Sequence, residues 1–207
     1  NIENKIKSSL NTDKLPKIIA VSKTFPIDKT IPLIEYGHIH FGENKVQEAI
    51  DKWTLTKLKH PNLKLHMIGK LQTNKVKFAV QVFDYIHSVD SEKLAKKISD
   101  ESIKINKKIK IFIQVNIGEE RQKSGIDKDH LKKLIEFCKN LNLDLAGLMC
   151  IPPMELNSDK FFKDMDALTK NYNFEDLSMG MSSDYIEAVK NSATYLRIGS
   201  GIFGNRS

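Results

Sequence analysis

Eight short apolar runs, each followed by a stretch with helical spacing, recur in fixed order along the chain. The runs are Ile18–Val21, His38–Gly42, Leu63–Ile68, Tyr85–Val89, Ile109–Val115, Leu143–Ile151, Leu177–Met179 and Tyr195–Ile198. Parallel strands need a crossover between them, usually helical, so alternating strand and helix implies a parallel sheet. Eight such units imply closure into a (β/α)8 barrel, with a doubly wound open sheet as the other arrangement of the same pieces. A chain of 207 residues suits one domain with a substantial core, and no shift in composition marks a second, so residues 1–207 are expected to form a single barrel domain. After the eighth run little chain remains for an outer helix. The N-terminal segment, amphipathic through Ile2, Ile6 and Leu10, is expected to pack on the barrel there as a helix over residues 2–10.

Hydrophobic residues make up 40% and charged residues 29%, and no apolar run approaches the ~20 residues that cross a bilayer. The N-terminus lacks the apolar core of a signal peptide, which points to the cytoplasm and no membrane partner. Cys138 and Cys150 show no metal-ligand spacing and read as buried free thiols of a reducing compartment. A net charge of +7 raises the question of nucleic acid. The excess is lysine scattered along helices, while the arginines are Arg121, Arg197 and Arg206, so solvated helix faces are the reading and no nucleic-acid partner is expected.

The residues that carry chemistry lie at the ends of the strands. Ile18-Ile19-Ala20-Val21 reads as a strand buried on both faces, and Lys23 stands where it runs out. Such a lysine either snorkels to solvent or is desolvated enough to present a neutral amine that attacks a carbonyl. In a barrel all the loops that follow strands share one face, where sites are built. Lys23, Asn44, Gly69, Asn116, Ser182 and Ser200 would meet there. The loops after the seventh and eighth runs, Met179-Gly180-Met181-Ser182-Ser183 and Gly199-Ser200-Gly201, are small enough for backbone N–H groups to approach an anion, and a phosphate is commonly held at that place in such barrels. Tyr195 and Arg197 alternate onto one face of the last strand. An arginine inside an apolar strand needs a partner: a carboxylate on a neighbouring strand, or a ligand in the barrel mouth.

Lysine on the first strand, an anion cradle after the last two, and Arg197 between them suit pyridoxal 5'-phosphate (PLP). The ordered motifs AVSKT (20–24), FGENKVQE (41–48), HMIGKLQTNK (66–75), HSVD (87–90), QVN (114–116), EERQKSGI (119–126), GLMCIPP (147–153), LSMGMSSDY (177–185) and RIGSGIFG (197–204) run through nearly the whole sequence. By them the chain resembles the YggS/PROSC family of PLP homeostasis proteins, whose fold is similar to the barrel domain of bacterial alanine racemase. The resemblance implies that Lys23 holds PLP as a Schiff base. It implies that Ser182, Gly199 and Ser200 bind the phosphate, with backbone support at Met181 and Gly201, and that Arg197 faces the pyridine nitrogen. Asn44 and His66 either line the pocket or hydrogen-bond within the barrel rim. Where family members often carry Gly-Ser-Thr before the last strand, this chain has Ser192-Ala193-Thr194.

Arginine has donors and no acceptor, so it would leave the ring nitrogen unprotonated and the cofactor a poor electron sink. Racemisation also needs a second base. Alanine racemase takes a tyrosine for it from an additional domain and a partner subunit, and no tyrosine here is marked by its surroundings for that role. The expectation is therefore a non-enzymatic, monomeric PLP carrier of vitamin B6 and amino-acid balance, with PLP-dependent apoenzymes as conceivable recipients and no metal. A PLP-dependent amino-acid racemase is the alternative.

Overall fold

A computed structural model describes residues 2–10, 15–120, 122–153 and 157–204. Arg121 and Arg206 lie outside the described residues. Eight parallel strands form a closed barrel in sequence order: β1 (Lys17–Val21), β2 (His40–Glu43), β3 (Lys64–Met67), β4 (Tyr85–Val89), β5 (Lys110–Gln114), β6 (Asp144–Met149), β7 (Asp176–Met181) and β8 (Tyr195–Ile198). Closure runs through β1 and β8, with Ile19 opposite Arg197. Sequential parallel pairing throughout is what the strand–helix alternation requires, and it removes the open-sheet arrangement.

The helices between strands are α2 (Ile31–Glu35), α3 (Val46–Lys59), α4 (Val76–Val82), α5 (Glu92–Lys104), α6 (Lys128–Asn140), α7 (Ser158–Asn171) and α8 (Tyr185–Lys190). Local chemistry sets their ends. Ser91 caps α5, its Oγ accepting the Leu94 N–H at 3.3 Å. Asn157 caps α7 through the Asp159 N–H at 3.0 Å. Pro32 near the start of α2 breaks what the sequence suggests as one helix from Pro26 to Tyr36; a 3-10 turn, Ile27–Lys29, precedes the shorter helix. β7 runs two residues past Met179, through Gly180 at φ +85°, a conformation in which a side chain is strained.

The apolar stripes of the helices bury against the outer face of the barrel, with Trp53, Phe83, Ile98, Leu131 and Phe162 among the residues withdrawn from solvent. Trp53 packs on Phe41 with ring centroids 4.8 Å apart, tying α3 to β2. The N-terminal helix α1 (Ile2–Ser9) buries Ile6 and packs against α8, and Ile2 comes close to Gly201. After β8 a single turn, α9 (Ser200–Phe203), follows. Both cysteines are free and buried, and burial pushes each thiol up to about 12, which keeps them unreactive.

Inside the barrel the filling is partly polar, where bulky aliphatics are usual. Ile19, Phe112, Met149 and Tyr195 form a small apolar cluster. Beside it His66 and His87 are fully buried, and burial holds both imidazoles well below their usual range. His40, nearer the N-terminal end, is lowered to about 4, first by burial and then by the charges of His38, Lys17 and Lys64. Each of these groups binds a proton more readily unfolded than folded, so stability is present above the unfolded value near pH 6.5 and falls as pH drops below it. Acid titration of the unfolding free energy is expected to show a loss of ~2 kcal/mol for each of the two fully buried imidazoles at pH 5. His66→Phe should flatten the slope between pH 6.5 and 5; an unchanged slope would place the acid sensitivity elsewhere.

Candidate functional site

The C-terminal mouth of the barrel opens into a cavity of about 850 Å³, lined by residues from the ends of β1, β2, β3, β6, β7 and β8. Of the residues singled out from the sequence, Lys23, Asn44, Met181, Ser182, Arg197, Gly199 and Ser200 line it together, with Phe25, Ile68, Gly69, Ile151 and Ser183 among their neighbours. Lys23 and Arg197 are its ionisable side chains among the described residues, so the lining carries two cations and no carboxylate. An anion is the ligand such a lining favours.

Lys23 sits two residues beyond β1 in a tight turn closed by the Phe25 N–H donating to the Ser22 carbonyl at 3.1 Å. Thr24, next in the turn, has φ +70°, a left-handed conformation that is an outlier for a β-branched residue. The turn is anchored from below. Glu43, buried at the end of β2, accepts three hydrogen bonds on Oε1: from Ser22 Oγ at 2.8 Å, Lys52 Nζ at 2.9 Å and Trp53 Nε1 at 2.9 Å. Lys52 Nζ also donates to the Ser22 carbonyl at 2.7 Å. Lys52 of α3 thus grips the residue before Lys23 directly, and Trp53 of α3 does so through Glu43. Sequence reasoning passed over Glu43 although it lies in the FGEN motif; a carboxylate at the end of a buried strand was the available signal.

Asn44 follows Glu43 into the cavity wall, and its Oδ1 is buried with no hydrogen-bond partner among the described residues. A buried acceptor left unpaired is costly, and a donor on a ligand would satisfy it. Gly69 makes room for this arrangement, because a Cβ there would stand 2.4 Å from the Asn44 carbonyl oxygen.

At the ends of β7 and β8 Ser182 Oγ accepts from the backbone N–H groups of Gly199 and Gly201, both at 3.3 Å, which ties the loop after β7 to the loop after β8. Asp184 closes the β7 loop by accepting the Met181 N–H at 2.6 Å, and burial raises its carboxyl above the usual range. The result is a set of hydroxyl and N–H groups on small residues, at the end of β8, the strand that pairs with β1, and of its neighbour β7.

Arg197 is buried, and its two hydrogen-bond partners among the described residues are a hydroxyl and a backbone carbonyl. Its Nη1 donates to Ser178 Oγ at 2.8 Å and its Nη2 to the Cys150 carbonyl at 2.8 Å. The alternative of an ion pair with a neighbouring strand is thereby replaced by two neutral acceptors, and Arg197 still lines the cavity. His66 is the correction. It does not line the cavity; it lies fully buried within the barrel, with His40 Nδ1 and His87 Nε2 each 2.9 Å from its ring nitrogens. Alternation along β3 correctly turns His66 inward, but depth along the barrel axis depends on strand tilt and stagger. Asn116 sits apart from this cavity, where its side chain bonds the backbone of Glu120.

The arrangement matches known proteins along its whole length. Residues 2–207 fit the family described as alanine racemase, N-terminal domain. The chain is 38% identical over 201 residues to the pyridoxal phosphate homeostasis protein of Vibrio cholerae, covering 92% of this chain and 85% of that protein. It is 38% identical over 200 residues to the protein of the same name from Aquifex aeolicus, covering 92% and 87%. The structure of PipY from Synechococcus elongatus with PLP bound superposes with a TM-score of 0.87 at 33% identity, covering 98% of both chains. Alanine racemase of Clostridium difficile shares the fold at a TM-score of 0.73 and 16% identity, and this chain spans 56% of its length. The chain therefore belongs to the pyridoxal phosphate homeostasis proteins, a family built on the barrel of the alanine racemase N-terminal domain.

Proposed function

We propose that this protein binds pyridoxal 5'-phosphate and serves intracellular PLP and amino-acid homeostasis, holding the cofactor as a Schiff base on Lys23. The observation that carries the reading is one cavity in which an amine, a buried arginine and a cradle of small hydroxyl and amide groups converge with no carboxylate among them. The relatives' names and the PLP-bound PipY structure support the cofactor's identity.

The residues divide the work. Lys23 supplies the nitrogen that bonds the aldehyde carbon. Ser182, Gly199 and Ser200, with the backbone at Met181 and Gly201, take the phosphate, and the unpaired Asn44 Oδ1 accepts from the ligand or an ordered water beside it. Arg197 faces the pyridine nitrogen, and with donors alone it cannot take a proton from a pyridinium. When bound, PLP supplies an electron sink for bonds at an amino acid's Cα, and an unprotonated ring weakens that sink.

The protein acts as a monomeric carrier rather than a racemase. Tyr85 and Tyr195 lie in the barrel interior, 6.0 Å apart between rings, and burial raises both to about 12. Tyr36, Tyr172 and Tyr185 do not line the cavity either, so this chain's own tyrosines do not stand where a second base would. The unpaired thiols suit the cytoplasm, where PLP-dependent apoenzymes are candidate recipients.

A yellow holoprotein with a visible absorbance band and no turnover over a panel of L- and D-amino acids is the expected result. Sustained interconversion lost in Lys23→Ala would make it an enzyme. Ser200→Asp places a fixed negative charge beside the phosphate and is expected to weaken PLP binding by at least about tenfold; unchanged affinity would put the phosphate elsewhere.

A further inference from the structure

Arg197 is one end of a continuous line of hydrogen bonds that runs down the interior of the barrel. From Arg197 Nη1 the line passes to Ser178 Oγ (2.8 Å), to His87 Nδ1 (2.9 Å), from His87 Nε2 to His66 Nδ1 (2.9 Å), and from His66 Nε2 to His40 Nδ1 (2.9 Å). Four strands contribute below the arginine: Ser178 from β7, His87 from β4, His66 from β3 and His40 from β2. Ser178, His66 and His87 are withdrawn from water, and His40 is the half-buried end, beside Lys17 and His38 at the opposite face of the barrel. The rings are held by packing. His87 stacks on Phe112 at 4.3 Å and His66 on Tyr85 at 4.2 Å.

Donor and acceptor arithmetic gives this line a direction. A guanidinium nitrogen only donates, so Ser178 Oγ is an acceptor toward Arg197. Its own proton then has His87 Nδ1 as its neighbouring acceptor. Were His87 to donate there instead, the serine proton would be buried without a partner. His87 accepting on Nδ1 carries its proton on Nε2 and donates to His66 Nδ1. His66 in turn carries its proton on Nε2 and donates to His40 Nδ1. The low basicity of the buried imidazoles agrees with each holding a single proton.

We propose that Ser178, His87, His66 and His40 are positioning residues for Arg197: the arginine sets one hydrogen-bond direction along the chain, every imidazole is locked as the Nε2–H tautomer, and the locked chain aims the guanidinium at the cofactor cavity. The arginine's two partners are both neutral, so its orientation depends on acceptors that hold still rather than on a counter-ion. A serine hydroxyl free to rotate would be a poor anchor; one whose proton is committed to His87 is a good one. The link to the cofactor rests on Arg197 facing the ring, but the tautomer pattern does not.

The test has two arms. In the first, ring-nitrogen NMR of the 15N-labelled protein without PLP reads the tautomers of His40, His66 and His87 directly. Protonated Nε2 and bare Nδ1 at all three is expected, and Nδ1–H at His66 or His87 overturns the proposal whatever the protein binds. In the second, Ser178→Ala removes the hydroxyl and Ser178→Thr keeps it. Ser178→Ala should return His87 to a mixture of tautomers and shift the absorbance maximum of the PLP-loaded protein, while the borohydride-reduced adduct on Lys23 persists; Ser178→Thr should restore both signals. Wild-type tautomers and an unmoved absorbance band in Ser178→Ala overturn the positioning role. If Ser178→Ala does not fold, His40→Gln tests the chain from the open end: with the direction set at Arg197, His66 should keep its proton on Nε2, and Nδ1–H at His66 in that variant counts against the chain. A protein that shows the predicted tautomers and binds no PLP would sink the cofactor reading and leave the locked chain standing.

Discussion

Borohydride reduction in the presence of PLP, followed by intact-mass measurement, is expected to show one covalent adduct on the wild-type chain and none on Lys23→Ala. The visible absorbance band should vanish with it. The selectivity is demanding, because the chain has many lysines and a surface amine near its ordinary value of about 10.4 is almost wholly protonated at neutral pH. One competitor stands out. Burial pulls the Lys107 amine down to about 8, so it is more often neutral than an exposed lysine. Yet its Nζ is held by the carbonyls of Phe83 at 2.7 Å and Gln81 at 3.2 Å, and the cavity it lines carries the Asp144 carboxylate, which disfavours a phosphate. Lys23 shares its cavity with Arg197 and the Ser182–Gly199–Ser200 group, so a phosphate-bearing aldehyde is held against it and the effective concentration is high. Peptide mapping decides between them. An adduct on Lys107, or one that survives Lys23→Ala at wild-type yield, would end the assignment of Lys23.

Glu43→Ala is expected to lower the unfolding free energy by ~3–5 kcal/mol, the usual loss when one partner of a buried ion pair is removed. For a chain of this size that corresponds to a fall in Tm of roughly 6–20 °C. Glu43 has 1% of its surface exposed and the side chain of Lys52 10%, so the lysine would be left charged and nearly dry. Ser22 Oγ and Trp53 Nε1 would lose the same acceptor. The damage reaches the site as well, since Ser22 precedes Lys23 and is held by both Glu43 and Lys52. Glu43→Gln separates the effects: it keeps an acceptor for the serine or the indole but not the charge opposite Lys52. Thermal unfolding should place it between wild type and Glu43→Ala, with PLP retained better than in the alanine variant. Equal stability in all three proteins would mean that the cluster contributes nothing to holding the turn.

Much of this was legible in the residues themselves. β-branched runs separated by helical spacing specify strands and helices locally, and eight of them in alternation leave few ways to close a parallel sheet. The strand–loop junctions that carry Lys23, Ser182 and Gly199 follow from the same counting, because in such a barrel every loop after a strand opens on one face. Only the tertiary structure decided which partners the buried polar groups have. Alternation turns His66 and Arg197 inward, but the stagger between strands fixes their depth, placing His66 between His40 and His87 and Arg197 beside Ser178 and the Cys150 carbonyl. Glu43 is the same case: its three donors come from β2's neighbour turn and from α3, brought together by packing and not by sequence spacing. Period and propensity are properties of neighbours along the chain, whereas hydrogen-bond satisfaction in the interior is a property of neighbours in space.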